Sequence, residues 1–232
     1  TYCDHNAARE KFHRDIKKIV DEMDRHTSKL VEVVLCITGE GNFRRDVLPT
    51  YKGHRKRKPP GYRQFQEWIL DGSGYETFLR PGLEADDCLG ILSTSAMSIH
   101  GTERVIWSAD KDLMQIPGLH LDFDVKRKGT SKLLTVTEEA GETLHVRQTL
   151  TGDVTDGYTG LVGVGPKSVE KLLEKHKGAA LKDVWAAVLA EYEKKGKTLE
   201  DMLQQSRVAR ILRASDYDFK KKEPILWDMP KQ

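Results

Sequence analysis

Three short acidic motifs could supply the oxygen ligands of a metal site. Carboxylates within about 4–6 Å of one another repel unless cations neutralise them. Hard oxygen ligands favour Mg²⁺ or Mn²⁺, and two such ions about 3.5–4 Å apart can clamp the attacking and leaving oxygens of a phosphoryl displacement. The motifs are EADD (84–87), DKD (110–112) and GDVTD (152–156), and their seven candidate ligands are Glu84, Asp86, Asp87, Asp110, Asp112, Asp153 and Asp156.

Each motif on its own is also typical of an ordinary helix N-terminus, where acidic side chains accept hydrogen bonds from free N–H groups. Two of the motifs, however, directly follow predicted strands, at 75–79 and 104–108. The carboxyl ends of parallel strands meet at one edge of a sheet, where ligands commonly bind. The combination therefore favours a metal site over three unrelated helix starts.

A glycine-rich segment follows the third acidic motif and reads GLVGVGPKS (160–168). Glycines at 163 and 165 allow a tight hairpin whose N–H groups, together with the next helix N-terminus, suit a DNA phosphate. A tight loop before a helix is the ordinary alternative. The spacing is not that of a nucleotide-binding P-loop, so we expect Gly163, Gly165, Lys167 and Ser168 to contact the DNA backbone.

A basic stretch at 51–58 (YKGHRKRK) lies between the aromatic residues Phe43, Tyr62 and Trp68. A run of charge is usually a solvated surface. Here the neighbouring aromatics favour nucleic acid, because bases stack on rings while phosphates meet Lys and Arg. Near an acidic metal site, Lys52 and Arg55 could also neutralise transition-state charge.

The elements that must position these residues alternate between strand and helix up to about residue 124. Hydrophobic periodicity predicts helices at 7–26, 62–71 and 85–99, a helical turn at 111–116, and strands at 31–37, 75–79, 104–108 and 119–124. Further helices are predicted at 137–150, 166–176, 179–195 and 198–214. This pattern predicts an α/β fold with a central, mostly parallel sheet flanked by helices.

Size and composition restrict the class of protein. The chain has 232 residues with 38% hydrophobic and 32% charged residues, so it can bury a core. Its net charge is +2, but basic residues concentrate at 52–58 and 220–222. Cys3, Cys36 and Cys88 lack metal-binding spacing and are expected to be reduced thiols of a cytoplasmic protein. No apolar run or leader indicates a membrane partner.

The acidic and glycine-rich segments resemble the 5′-nuclease superfamily, which includes the small domain of bacterial DNA polymerase I and flap endonucleases. The matching segments are NFRRDVLPTYKGHRK (42–56), LEADDCLG (83–90), SADKDLMQI (108–116) and TGDVTDGYTGLVGVGPKSVEKLL (151–173). The chain is most similar to the 5′→3′ replication exonucleases of short-tailed phages, including VARILRASDYDF (208–219).

The resemblance implies a two-metal 5′→3′ exonuclease that acts on duplex DNA with a free 5′ end, a flap or an RNA primer. It implies a nuclease core at 1–150 with a basic arch around 44–61, and a helix–hairpin–helix lobe at 151–232, often with bound K⁺. Mg²⁺ is the expected ion, with Mn²⁺ as a substitute. The implied catalytic residues are Lys52, Arg55, Asp86 and Asp110, and the implied DNA-binding residues are Tyr51, Lys52, Arg55, Lys56, Arg57, Gly163, Gly165, Lys167 and Ser168.

The sequence departs from the family's pattern in two places. The family opens with a strand that carries an Asp ligand, and no such segment precedes Thr1. We therefore expect this chain to be truncated or incompletely recorded. After strand 31–37, Glu40 stands near the place where relatives have another Asp. The missing first Asp keeps open a non-catalytic protein that binds DNA structures. A PIN-type ribonuclease is a second alternative, because that class also has acidic clusters on a parallel sheet, although the glycine hairpin argues against it.

Overall fold

The computed structural model describes residues 4–96, 103–126 and 131–230. Within these ranges the helices are His5–Met23 (α1), Arg44–Val47 (α2), Tyr62–Gly72 (α3), Ala85–Thr94 (α4), Glu138–Thr151 (α5), Pro166–Lys175 (α6), Leu181–Lys194 (α7) and Leu199–Ala209 (α8). The strands are Val34–Thr38 (β1), Glu76–Arg80 (β2), Val105–Ile106 (β3), Gly118–Asp122 (β4), Lys132–Val136 (β5), Tyr217–Asp218 (β6) and Glu223–Pro224 (β7). Short 3₁₀ helices occupy Lys111–Gln115 and Ala214–Asp216.

Parallel pairing dominates the first part of the chain, which confirms the predicted α/β class. Strand β1 pairs in parallel with β2, and β3 pairs in parallel with β4. In the described ranges the two pairs form separate short sheets rather than one continuous sheet. Helix α4 packs against β1, β2 and β3, so it joins the two sheets and its N-terminus carries the first acidic motif.

Two hydrophobic clusters support the two parts of the molecule. One lies beneath the first acidic motif and includes Phe43, Leu83 and Cys88. The other fills the space between the C-terminal helices around Trp185 and Val169. Each cluster fixes one set of elements, so the first and third acidic motifs are built on well-packed supports.

The structure differs from the sequence-based expectations in a few elements. Strand β5, which was not predicted, adds an antiparallel neighbour to β4. Helix α8 ends at Ala209 rather than at 214, because the buried backbone of 210–213 leaves the helix and donates its N–H groups to side chains of other elements. Residues 97–99 of predicted helix 85–99 lie outside the described ranges, as does Cys3. No described helix is long and apolar enough to span a bilayer.

Candidate active site

The three acidic motifs meet at one cavity of about 730 Å³. It opens at the carboxyl end of β2, where α4 begins, and its far wall is the turn that follows α5. Six of the seven predicted ligands line it: Glu84, Asp86, Asp110, Asp112, Asp153 and Asp156. Four cationic side chains also line it: Arg44, Lys52, Arg55 and Lys111.

Helix α4 presents the first acidic pair at its N-terminus. Glu84 is the N-cap residue, and its backbone N–H donates to Asp87 in a capping box. The backbone N–H of Ala85 donates to Thr38 Oγ1 at 3.1 Å, which ties the start of α4 to the end of β1. Asp86 falls in the first turn and faces the cavity. The capping chemistry therefore fixes the position of both carboxylates.

A short 3₁₀ helix presents the second pair. Asp110 is its N-cap residue, and Asp110 Oδ1 accepts the backbone N–H of Asp112 at 3.0 Å. The hydroxyl oxygen of Ser108 accepts the Asp110 N–H at 3.0 Å. Both carboxylates line the cavity, at the place predicted from the end of strand 104–108.

A tight turn after α5 presents the third pair. Asp153 Oδ1 accepts the backbone N–H of Thr155 at 2.6 Å, and a β-bridge joins Asp153 to Tyr158. The turn closes on itself through Gly152 and Gly160. Both have positive φ, and a Cβ on either would come within 2.3 Å of backbone atoms at the other end of the turn. Only glycine permits this close approach, so the sequence itself determines where Asp153 and Asp156 point.

Lys52 connects the first and third motifs. Its Nζ lies 2.6 Å from Glu84 Oε1 and 3.3 Å from Asp156 Oδ2. Its backbone N–H donates to the carbonyl of Asp156 at 2.7 Å, and its φ of 51° lies in the left-handed region. Arg55 forms an ion pair with Asp156 at 2.5 Å while its side chain stays about half exposed. The two predicted cations are therefore beside the carboxylates.

The cavity holds more negative than positive charge. Burial first, and then the neighbouring carboxylates, raise the pKa of Asp86 to about 6. Burial and the carboxylates of Asp110, Asp153 and Asp156 likewise raise the pKa of Asp112 to about 6. Glu84 is different, because the charges of Arg44 and Lys52 outweigh its burial and hold its pKa below the usual range. Asp86 and Asp112 therefore bind protons more tightly than a free aspartate, because they are buried among carboxylates with too few cations beside them.

Comparison with known proteins gives this arrangement a family. Residues 4–141 match the model of the 5′-3′ exonuclease, N-terminal resolvase-like domain. The chain is 31% identical to an exonuclease of Escherichia phage T7 over 97% of its own length and 82% of that protein. The same identity and coverages hold for an exodeoxyribonuclease of Enterobacteria phage T3. The chain belongs to the 5′-3′ exonuclease family.

More distant relatives agree with the assignment to the 5′-3′ exonuclease family. DNA polymerase I of Bacillus caldotenax is 30% identical over 75% of this chain but only 20% of the polymerase. A crystal structure of the T5 D15 protein with metal ions shares the fold, with a TM-score of 0.59 at 15% identity, over 87% of this chain and 80% of that one. The predicted superfamily and the predicted 5′→3′ nuclease class are confirmed.

Asp87 does not have the position that was expected of it. It is fully buried, does not line the cavity, and receives two hydrogen bonds of 2.7 Å from the Arg44 guanidinium. Its Oδ1 also accepts the backbone N–H of Leu212 at 3.1 Å, and its Oδ2 that of Glu84 at 3.1 Å. Both oxygens are occupied by protein donors, so this geometry contradicts the expectation of a metal ligand at Asp87.

The aromatic residues near the basic stretch also differ from expectation. Tyr51 is only 2% exposed, and its hydroxyl lies 3.0 Å from both Glu84 and Asp156. Phe43 is buried in the core, and Trp68 packs against Phe12 of α1. Only Tyr62 is substantially exposed, with Lys58 over its ring. The rings of Tyr51, Phe43 and Trp68 support the fold and are not free to stack on bases.

The other predicted DNA contacts lie on the surface. Lys56 and Arg57 are exposed in the loop between α2 and α3. Gly163 and Gly165 are exposed at the hairpin before α6, and Lys167 and Ser168 are exposed in the first turn of α6. Glu40 is exposed and does not line the cavity, so it does not replace an acidic ligand there.

Residues that sequence reasoning missed are Arg44, Gln148 and Gln115. Arg44 and Gln148 line the cavity, and Gln115 is buried behind it. No sequence signal distinguishes Arg44 from the exposed Arg45 beside it, since only the tertiary position of Asp87 selects one of them.

Proposed function

We propose that this chain is a divalent-metal-dependent 5′→3′ exodeoxyribonuclease that hydrolyses phosphodiester bonds of duplex DNA. The observation that carries the proposal is the cavity itself. Six carboxylates face four cationic side chains, and one of the four, Arg44, is already committed to Asp87. An excess of carboxylates at the end of parallel strands, in a chain of the 5′-3′ exonuclease family, is suited to bound cations.

The donor set fits hard divalent ions, and we propose Mg²⁺, with Mn²⁺ able to replace it. Within the described ranges no three acidic, His or Cys side chains are yet arranged as a preformed metal site. The reason is visible in the ion pairs, since Lys52 and Arg55 hold Glu84 and Asp156. We propose two ions, the first held by Glu84, Asp86 and Asp110, and the second held by Asp112, Asp153 and Asp156.

When bound, the ions would supply charge neutralisation and a lowered pKa for water. The chain's own residues perform the remaining tasks. The oxygen of a water molecule bonds to phosphorus, the bond from phosphorus to the 3′ oxygen breaks, and the products carry a 5′ phosphate and a 3′ hydroxyl. Lys52 and Arg55, already beside the carboxylates, would contact the scissile phosphate and neutralise its growing charge.

The hairpin before α6 would hold the duplex away from the cut. Its exposed glycines and Lys167 at the start of α6 form a surface suited to DNA phosphates, which supports the assignment of 151–232 as a DNA-binding lobe beside a nuclease core at 1–150. We propose that K⁺ can bind at this hairpin. The loop with Lys56 and Arg57 would form the basic arch over the substrate.

The substrate class follows from the relatives. The phage T3 relative is named an exodeoxyribonuclease, and a similar T5 structure is described as a flap endonuclease complex with DNA and metal ions. We therefore propose duplex DNA with a free 5′ end as the main substrate, with 5′ flaps and RNA primers as further ones. The place of action would be the cytoplasm of a phage-infected cell.

The decisive experiment compares the wild-type chain with Asp110→Asn on a 5′-labelled flapped duplex, with Mg²⁺ and with a chelator. Cleavage that requires both Asp110 and the ion supports the proposal, and cleavage that survives both changes refutes the metal assignment. Tight binding without products would favour a non-catalytic DNA-binding protein. Degradation of single-stranded RNA alone would favour a PIN-type ribonuclease.

A further inference from the structure

Two buried glutamines connect the second acidic motif to the protein interior. Gln115 is 1% exposed at the end of the 3₁₀ helix that begins beside Asp110 and Asp112. Gln148 is 8% exposed in the last turn of α5 and lines the cavity. The amide of Gln115 donates to Oε1 of Gln148. Gln148 and Asp112 line the same cavity, and the Gln148 amide is close enough to the Asp112 carboxylate to oppose the rise of its pKa.

The backbone determines which way the first amide points. Gln115 Nε2 donates to the carbonyl of Ala209 at 2.7 Å, and Gln115 Oε1 accepts the N–H of Ile211 at 3.2 Å. A carbonyl can only accept and an N–H can only donate, so the amide of Gln115 cannot be reversed without two unpaired buried groups. Gln115 is therefore a fixed donor toward Gln148.

Because Gln115 donates to Gln148, the orientation of the Gln148 amide is fixed as well. Gln148 must use its oxygen toward Gln115, so its NH₂ group is left to face the cavity, whose wall also carries Asp112. An NH₂ group donates and cannot bind a cation. Gln148 is thus excluded as a metal ligand although it lines the cavity, and its NH₂ group can donate to a carboxylate on the same cavity wall, where Asp112 lies.

We infer that Gln115 and Gln148 form a relay that holds Asp112 as an oriented carboxylate for a divalent ion. Both are positioning residues, because neither reaches the substrate or the ion, and Gln115 acts only through Gln148. The inference rests on the proposed function, since it needs Asp112 to be a ligand. Substitution of side chains that hydrogen-bond to a metal ligand commonly lowers metal affinity by about 10–100-fold.

The test measures Mn²⁺ binding to DNA-free protein by calorimetry or electron paramagnetic resonance. Gln148→Met should weaken Mn²⁺ binding by about tenfold or more. Gln115→Met should also weaken Mn²⁺ binding. In the Gln148→Met background it should cause no further loss of affinity, because Gln115 acts on Asp112 only through Gln148. The matched control is Gln204→Met, whose amide donates to the Val47 carbonyl and does not line the cavity. It should bind Mn²⁺ within about twofold of wild type.

Affinity of Gln148→Met within about twofold of wild type, or additive effects of the two substitutions, would overturn the relay. These outcomes leave the proposed function intact if the wild-type chain binds Mn²⁺ and cleaves DNA. A wild-type chain that binds no Mn²⁺ would instead refute the proposed function.

A measurement on the wild-type chain removes any dependence on the folding of the variants. If the relay holds, the side-chain NH₂ protons of Gln148 should exchange with water far more slowly than those of the exposed Gln64, because Asp112 would accept one of them. Equal exchange rates for the two amides would contradict the relay.

Discussion

Two groups of charged side chains in this molecule differ in their charge balance. One group, which we call the arginine seam, consists of Arg44, Arg210 and Arg213 with Asp87, Glu142 and Asp216. Three cations there meet three carboxylates at distances of 2.7 to 3.1 Å. The other group is the cavity, where six carboxylates meet three further cationic side chains, Lys52, Arg55 and Lys111, because Arg44 is already paired with Asp87 in the seam.

The pKa values of the carboxylates in the two groups follow from the balance of positive and negative charge around them. In the seam, the nearby Arg210 and the contact with His145 outweigh burial and lower the pKa of Glu142 to about 2. In the cavity, burial and like charges raise the pKa of Asp86 to about 6. Asp87, fully buried with both oxygens held by protein donors, is a structural group, whereas Asp86 on the cavity wall lacks such partners and favours a cation from solution. Sequence proximity does not decide the role, since Asp86 and Asp87 are neighbours.

The largest expected effect is the loss of activity when one carboxylate of the cavity is removed. Asp110→Asn removes one cavity carboxylate and should lower single-turnover cleavage of a 5′-flapped duplex by about 10²–10⁴-fold, because an ion at such a site contributes several kcal/mol to the transition state. The melting temperature of the Asp110→Asn variant in the absence of metal should be unchanged or higher, since repulsion between Asp110 and Asp112 is relieved. A large loss of stability in this variant would remove the distinction between the cavity and the seam.

The converse substitution is Asp87→Asn in the seam. It leaves the Arg44 guanidinium buried without its carboxylate, so we expect a loss of about 3–5 kcal/mol in the free energy of unfolding. Urea denaturation measures this change. The control is Asp46→Asn, an exposed acidic residue on α2, which should change stability by less than about 0.5 kcal/mol. A stable Asp87→Asn protein with weakened Mn²⁺ binding would restore Asp87 as a ligand.

The sequence predicted the acidic motifs and the strand ends that carry them, because motif spacing and hydrophobic periodicity are local properties. It could not separate Asp86 from Asp87. That distinction depends on Arg44 and on the backbone of Leu212, which lie 43 and 125 residues from Asp87. The early end of α8 has the same cause, because no glycine or proline marks Ala209 and long-range hydrogen bonds replace the helix.

A pH titration of stability without metal should show the charge excess of the cavity. The pKa values of Asp86 and Asp112 are raised to about 6 in the folded chain, above the ordinary value of 3.8. The folded state then binds protons more tightly than the unfolded state, so stability is highest at low pH. It should fall, through these two groups, by about 1–3 kcal/mol as pH rises from 4 to about 7.

Excess Mg²⁺ should remove most of this contribution, because a bound cation replaces the protons as the compensating charge. The measurement is urea denaturation at several pH values, with Asp112→Asn as the comparison. A wild-type slope that Mg²⁺ does not change would show that the two carboxylates are not beside a cation site.

The smallest expected effect concerns balanced charges that are not buried. On α1, Lys17 Nζ lies 2.7 Å from Asp21 Oδ1, but the side chains are 73% and 49% exposed. Water screens such a pair, so Lys17→Ala should change the free energy of unfolding by no more than about 0.5 kcal/mol and should leave cleavage unchanged. Thermal denaturation and the flap assay together check this. An effect comparable to that of Asp87→Asn would mean that charge balance alone, rather than balance in a buried setting, determines the contribution of an ion pair in this chain.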